Sequence, residues 1–281
     1  MILICILFGI IFERASDTLE NLRSFGWYER YSEWLMKTLP SLNEKPRLSI
    51  VVLLFPLLFI VIILQAWFEG SLYGLFELLF GLIIFAYCLG PKDINRQINR
   101  YLLARENGDE DAAMAEATVI MQKPAPSDPD QQTVEVMRAV LHESNDRVFA
   151  VIFWFVILGP LGAVLYRLTT HTMRTTEYEY LREAAKQLQA ILAWAPAHLV
   201  AIGYALTGDY EGAKHEFSNK VRQNDLSDCN YHTLITAGQG AIKDCSSTDE
   251  TACVRSARAL VLRTLVVWLA AVAMLTLIGF M

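Results

Sequence analysis

Two arginines, Arg147 and Arg167, bracket the apolar run VFAVIFWFVILGPLGAVLY of residues 148–166, with Tyr166 at its end and His171 just beyond. In the next apolar stretch Trp194 and His198 stand on either side of Pro196. A planar guanidinium suits bidentate capture of phosphate or carboxylate, and loosened helix ends offer free N–H groups to the same anion. Arg147, Tyr166, Arg167, His171, Trp194 and His198 are therefore the candidate site for a small anionic ligand at a membrane surface. A straight helix would hold the two arginines about 30 Å apart, so sharing one ligand requires the run to re-enter or break. Gly159, Pro160 and Gly162 mark where it would break. The plainer reading gives these three residues only packing and a kink.

A second group is acidic. Glu13, Asp17 and Glu20 recur at i, i+4 and i+7, a stripe that could hold Mg²⁺ through phosphate or simply face solvent. Cys229, His232, Cys245 and Cys253 read C-x2-H-x12-C-x7-C; the spacing matches no compact zinc knuckle, and the expectation is reduced, independent thiols on a cytoplasmic face. The chain has no Walker-type loop, GxSxG, HExxH or dinucleotide fingerprint, so no catalytic residue is assigned from motifs.

These residues must be positioned by membrane helices. The chain is 54% apolar with 11% aromatics, and its mean hydropathy is +0.31, too hydrophobic for an ordinary soluble domain. With 30 acidic against 24 basic residues the net charge is −6, which argues against nucleic acid as a partner. MILICILFGIIFER lacks the basic start and cleavage site of a signal peptide and is expected to be retained. About 20 apolar residues span a bilayer. Residues 48–67, 71–90, 148–166, 188–206 and 264–281 are candidates, the third and fourth expected as interrupted helices because of Gly159-Pro160 and Pro196. In lipid, a broken backbone survives only where protein or a water-filled cavity surrounds it, so 148–166 is expected to be buried among other helices.

The fold class expected is all-α: a polytopic membrane helix bundle with interrupted helices and helical cytoplasmic segments. Residues 1–90 form N-terminal membrane helices with an amphipathic segment at 13–47, and the absence of proline from 1 to 38 would let one long helix run from membrane into solvent. A cytoplasmic helical segment follows at 91–147, interrupted membrane helices at 148–208, a polar helical segment at 209–263 and a terminal membrane helix at 264–281. Lysine and arginine concentrate in 13–48, 91–147 and 209–263, which the positive-inside rule places in the cytoplasm with both termini outside. Within 91–147, Leu102, Leu103, Ala113 and Ala117 fit a helical hairpin turning at Asn107-Gly108-Asp109, and the phrase ARENGDEDAAMAEA at 104–117 is echoed by ALTGDYEGAKHEF at 205–217.

The stretches VEVMRAVLHESNDRVFAVIFWFVILGPLGAVLYRL at 134–168 and LQAILAWAPAHLVAIGYALTGDYEGA at 188–213, with the opening Ile11 to Arg14, resemble the AmpE proteins of Gram-negative bacteria, within the CobD/CbiB-like membrane superfamily. The resemblance implies a multi-pass protein of the bacterial inner (cytoplasmic) membrane, a regulatory or sensory role linked to cell-wall recycling and β-lactamase induction, and a pathway link to an AmpD-type amidase. The anionic ligand would then be a muropeptide or a nucleotide, and the lipid bilayer a partner; a homo-oligomer is compatible with it. The superfamily's adenosylcobinamide-phosphate synthases imply an alternative, an amide-forming enzyme using Mg²⁺ and ATP as cofactors at Glu13, Asp17, Glu143 and Asp146. Those enzymes carry E-N-x-x-D-G before the glycine-rich span and N-T-L-D after it. Here Asp146 matches the first aspartate, His142 and Glu143 stand at its Glu-Asn, and Arg147 replaces the glycine; Thr170 and Met173 fill the asparagine and aspartate of the second phrase. Their Trp-x-Pro-x-Arg-Leu survives as Trp194, Pro196 and Leu199, with His198 for the arginine. These losses argue against synthase activity while keeping the scaffold. A third reading is a membrane scaffold without a ligand.

Overall fold

A computed structural model describes residues 2–15, 25–68, 74–89, 94–218, 225–242 and 251–278. These form helices joined by turns, with no strand among them, so the chain is all-α. In order, α1 is Ile2–Ala15, α2 Gly26–Thr38, α3 Pro46–Phe68, α4 Leu75–Cys88, α5 Ile94–Glu106, α6 Glu110–Met121, α7 Pro129–Ser144, α8 Ala150–Leu158, α9 Pro160–Thr175, α10 Glu179–Thr207, α11 Tyr210–Ser218, α12 Leu226–Ala241 and α13 Ala252–Leu277. A 3₁₀ turn at Pro40–Glu44 precedes α3, and a π-helical turn at Asn145–Phe149 joins α7 to α8. Three helices, α3, α10 and α13, are long and apolar enough to cross a membrane. Val51, Phe55, Phe59, Ile60, Ile63 and Trp67 of α3 are all exposed, an arrangement that water penalises and lipid does not. The chain is a membrane protein.

The helices divide into two compact units. The first takes residues 1–91, 150–193 and 275–281. Hydrocarbon tails are as apolar as leucine, so helices in lipid associate through close packing instead of the hydrophobic effect. That is how α1 meets α4: a Cβ on Gly9 would fall 2.5 Å from a Phe85 ring carbon, and one on Gly81 would fall 3.3 Å from Cys5 Sγ. Outside the spans the usual apolar burial resumes. α2 turns Tyr28, Ser32, Leu35 and Met36 inward, one stripe at helical spacing, onto Leu42, Ile50, Leu53, Leu168 and Leu181. The single helix expected over 1–38 is instead two described helices, because Phe25 lies outside helical geometry (φ −88°, ψ 15°) as the entry to α2.

The second unit takes 92–149 and 194–274. Its α5–α6 hairpin turns where expected: Gly108 has φ +70°, and Asp109 accepts the Ala112 N–H at 3.0 Å, satisfying one of the first-turn donors. Leu102, Ala113 and Ala117 are buried in it, while Leu103, expected beside them, is exposed. α7 starts on Asp128, which accepts the Gln131 N–H at 3.1 Å, with Pro129 in the first turn. The echoed phrase at 205–217 does form a second helix-turn-helix, α10–α11. Here glycines bring backbones together: a Cβ on Gly212 would lie 2.3 Å from the Gly240 carbonyl oxygen, and one on Gly203 2.6 Å from Thr264. Thr207 and Thr264 share a hydroxyl hydrogen bond of 2.8 Å between α10 and α13.

The interruption at Gly159 is real. Its φ of +64° and ψ of −150° end α8, in a region that L side chains avoid, and Pro160 opens α9 at a position where its missing N–H costs nothing. A Cβ on Gly162 would sit 2.2 Å from the Trp154 carbonyl oxygen, so the tight junction admits hydrogen alone. The interruption expected at Pro196 does not occur: α10 runs unbroken through it for 29 residues. A helical proline cannot donate to the carbonyl four residues back, here Leu192. That oxygen accepts the Trp154 indole N–H at 3.0 Å instead. Beside the π turn the Asn145 N–H bonds the His142 carbonyl, and Leu141 O accepts the Tyr204 hydroxyl at 2.9 Å.

The cysteine expectation needs correcting. Cys5, Cys88 and Cys229 are free, but Cys253 is disulfide-bonded, so the polar-segment thiols are not all independent; spacing alone does not tell which thiols fold against one another. Cys245 lies outside the described residues.

Candidate functional site

The residues read from the sequence settle into three groups of local contacts. Arg147, in the π turn of the second unit, is buried with Glu143, Ser144, Asn145 and Asp146. Its Nε donates to Glu143 at 2.9 Å and its Nη1 to Gln97 of α5 at 2.9 Å. The i, i+4 spacing places Arg147 on the face that Glu143 occupies one turn earlier, and the π turn lies across the pair; π turns often mark functional positions. Two buried opposite charges so paired neutralise each other. Asn145 donates to Asp146 at 3.3 Å, while its own side-chain oxygen is buried without a hydrogen-bond partner among the described residues. Arg147 is thus a strut of the fold, its charge already matched.

Tyr166, Arg167 and His171 lie on α9 in the first unit. Tyr166 is fully buried, and its hydroxyl lies 3.4 Å from Gln189 Nε2. Arg167 is 6% exposed and its guanidinium lies 5.5 Å from the Phe25 ring centre, within cation–π range. His171 packs on Phe25 and Tyr28 at 4.8 and 5.8 Å between ring centres, with Nε2 3.2 Å from a Glu29 oxygen. Burial and then the charges of Arg167 and Arg174 push its imidazole down to about 4, so at neutral pH it is an uncharged, half-buried ring. Trp194 and His198 form the third group, on the outer face of α10, their rings 4.8 Å apart and tilted by 40°, with His198 Nδ1 2.7 Å from the Trp194 carbonyl.

Of the acids named as Mg²⁺ ligands, Glu143 and Asp146 share the π-turn region. Asp17 lies outside the described residues, and so does the side chain of Glu13, whose backbone belongs to α1. Among the described residues no three His, Cys, Asp or Glu side chains are arranged to hold a metal ion.

The cationic cavity that sequence reasoning missed lies within the second unit. Thr207, Gly208 and Asp209, at the α10–α11 turn, face Ala241 and Ile242 at the end of α12 and Arg255, Ser256, Ala259, Leu260 and Arg263 of α13 around about 600 Å³. Gly208 permits the approach, because a Cβ there would fall 2.6 Å from the Ala241 oxygen, and the Asp209 N–H donates to that same oxygen at 2.9 Å. Arg255 is held by Glu106 and Arg258 by Asn99, both of α5, which fixes the first turns of α13. Arg263 has no ion-pair partner among the described residues. The Arg263 guanidinium, the Ser256 hydroxyl and a cavity of this size can accept a phosphorylated or carboxylated molecule through charge-assisted hydrogen bonds. The sequence signal was present as the run Arg255, Arg258, Arg263 ahead of the last span, where it counted only towards membrane orientation.

Cobalamin biosynthesis protein CobD of Stutzerimonas stutzeri is 36% identical over 109 residues, 37% of this chain and 35% of that protein. CobD of Chromobacterium violaceum is 34% identical over 111 residues, 38% of this chain and 35% of that protein; the chain thus matches about a third of the length of these two relatives. Protein AmpE of Shigella flexneri is 25% identical over 225 residues, 75% of this chain and 78% of that protein. No solved structure matches. The family model described as regulatory signalling modulator protein AmpE matches residues 1–281, every residue of the sequence, and the chain belongs to the AmpE family.

Proposed function

We propose that this regulatory protein is a multi-pass inner-membrane sensor that binds an anionic product of cell-wall recycling, a muropeptide or a nucleotide, and links its abundance to β-lactamase induction. The observation that carries the reading is the cavity at Thr207, Arg255, Ser256 and Arg263, which combines cationic charge with room for such a molecule. Arg167, Tyr166 and His171, and the outward Trp194–His198 pair, are then contributors to shape and response, and Arg147 holds the π turn. Calorimetric titration of the purified full chain with muropeptides and nucleotides tests it, beside Arg263→Ala and Ser256→Ala. Binding lost in these variants supports the reading. No binding to any candidate, or equal binding by Arg263→Ala, leaves a ligand-free scaffold.

A second reading, an amide-forming enzyme using ATP and Mg²⁺, draws on the similarity to CobD. In it Glu143 and Asp146, with Glu13 and Asp17, would carry metal-bound phosphate, which requires Glu143 to release Arg147. Mg²⁺-dependent product from ATP and a corrinoid acid would establish it, and a folded preparation yielding none would remove it.

A further inference from the structure

A different cavity of the second unit has the chemistry of a lipid site. It is formed by His198, Ala201, Ile202 and Ala205 of α10, Tyr210, Ala213 and Lys214 of α11, and Thr233 and Ala237 of α12, and encloses about 350 Å³. Four alanines line it where bulky side chains would fill it, so three helices leave an apolar trough between them.

Three observations say what fits there. α10 is long and apolar enough to cross a membrane, and Ile202 both lines the trough and is 56% exposed. The trough wall is therefore continuous with an outer α10 face on which Leu199 and Leu206 are also exposed. An acyl chain can enter sideways without crossing water. Second, Lys214 stands on the α11 wall with no ion-pair or hydrogen-bond partner among the described residues. A lysine stem can lie along apolar surface while its ammonium meets a headgroup phosphate. Third, the charges of α11 are sorted: Glu211, His215 and Glu216 face a separate cavity with Asp209, so no α11 carboxylate shares the trough with Lys214.

We infer that this trough holds one acyl chain of an anionic phospholipid, with its phosphate on Lys214. The site is independent of the cavity at Arg263, and either can fail without the other. Apolar surface alone would bind any lipid; Lys214 supplies the preference for a negative headgroup.

The test uses the purified full chain in nanodiscs containing phosphatidylglycerol with a photoactivatable group on its acyl chain, followed by peptide mapping. Labelling concentrated on Ala201, Ala205, Ala213 and their neighbours, above the exposed face of α3, is the expected result. Ala205→Phe fills the trough and should abolish that label. Lys214→Gln alters only an exposed side chain and should remove the preference for phosphatidylglycerol over phosphatidylcholine while leaving the fold and the melting temperature as they were. Labels spread evenly over α3, α10 and α13, or an unchanged headgroup preference in Lys214→Gln, would overturn the assignment. A competing excess of glycerol phosphate should not displace the label; if it does, a soluble phosphate and not a lipid is the occupant, and the proposal fails.

Discussion

The Trp154 indole donates to the Leu192 carbonyl at 3.0 Å, supplying the hydrogen bond that Pro196 takes from its own helix. Two distant segments thereby become interdependent. Trp154→Phe keeps the ring and deletes the donor, leaving a carbonyl unsatisfied in an apolar setting, which costs about 1–3 kcal/mol. Pro196→Ala restores a backbone donor, so Trp154→Phe should cost less in that background. Thermal unfolding of the four proteins of the cycle in one detergent checks this; additive effects would disprove the coupling.

The break before α9 makes a contrasting set. Gly162→Ala drives a methyl to within 2.2 Å of the Trp154 oxygen, and Gly159→Ala forces a side chain to φ +64°, ψ −150°, a strain of about 1–3 kcal/mol. Gly26→Ala meets nothing within 4 Å and should be neutral or slightly stabilising, since alanine is the better helix former. Yield and melting temperature should fall in the order Gly26→Ala, Gly159→Ala, Gly162→Ala.

For the buried pair, Arg147→Met strands the Glu143 carboxylate and Glu143→Gln strands the guanidinium, each at a cost of about 3–5 kcal/mol. Replacing both, as Glu143→Leu with Arg147→Met, removes both charges and should recover much of the loss. A double variant no better than the worse single would show that Gln97 and the π turn need the charges themselves.

Acidification should destabilise the protein in two stages. His171 is held down to about 4 by burial, with Arg167 and Arg174 adding to the effect, so below about 6.5 the unfolded chain takes up a proton that the folded one refuses. Stability therefore falls as pH drops from there towards about 4 and then levels. Glu135 is raised by its own burial but lowered overall by Lys123 and Arg138, at 3.2 and 2.7 Å; its contribution is present above the ordinary carboxylate range and is lost as pH falls through and below it. His171→Phe should remove the upper stage only, and Lys123→Ala should weaken the lower, both read from melting temperature against pH.

Where local chemistry decides the outcome, the residues could be read directly. The turn at Asn107-Gly108-Asp109 and the Gly159-Pro160 break each act within a few positions, and the structure has both as expected. Pro196 misled because its remedy, Trp154, lies outside any local window. The burial of Arg147 was hidden for the same reason. Its i+4 relation to Glu143 was visible, but the π turn and Gln97 that bury the pair were not. The cavity at Arg263 requires α10, α12 and α13 to converge, and no spacing along one helix reports a convergence. Membership of the family was legible in whole phrases, which carry more information than any single pattern.

α8 is nine residues long, a rod of about 14 Å, roughly half the thickness of the oily layer. The π turn joins it to α7, yet past that turn its apolar reach is too short to cross the layer. It must wait for, or arrive together with, the neighbours whose side chains close off its loose peptide groups, so the order in which segments leave the ribosome becomes part of how this protein matures.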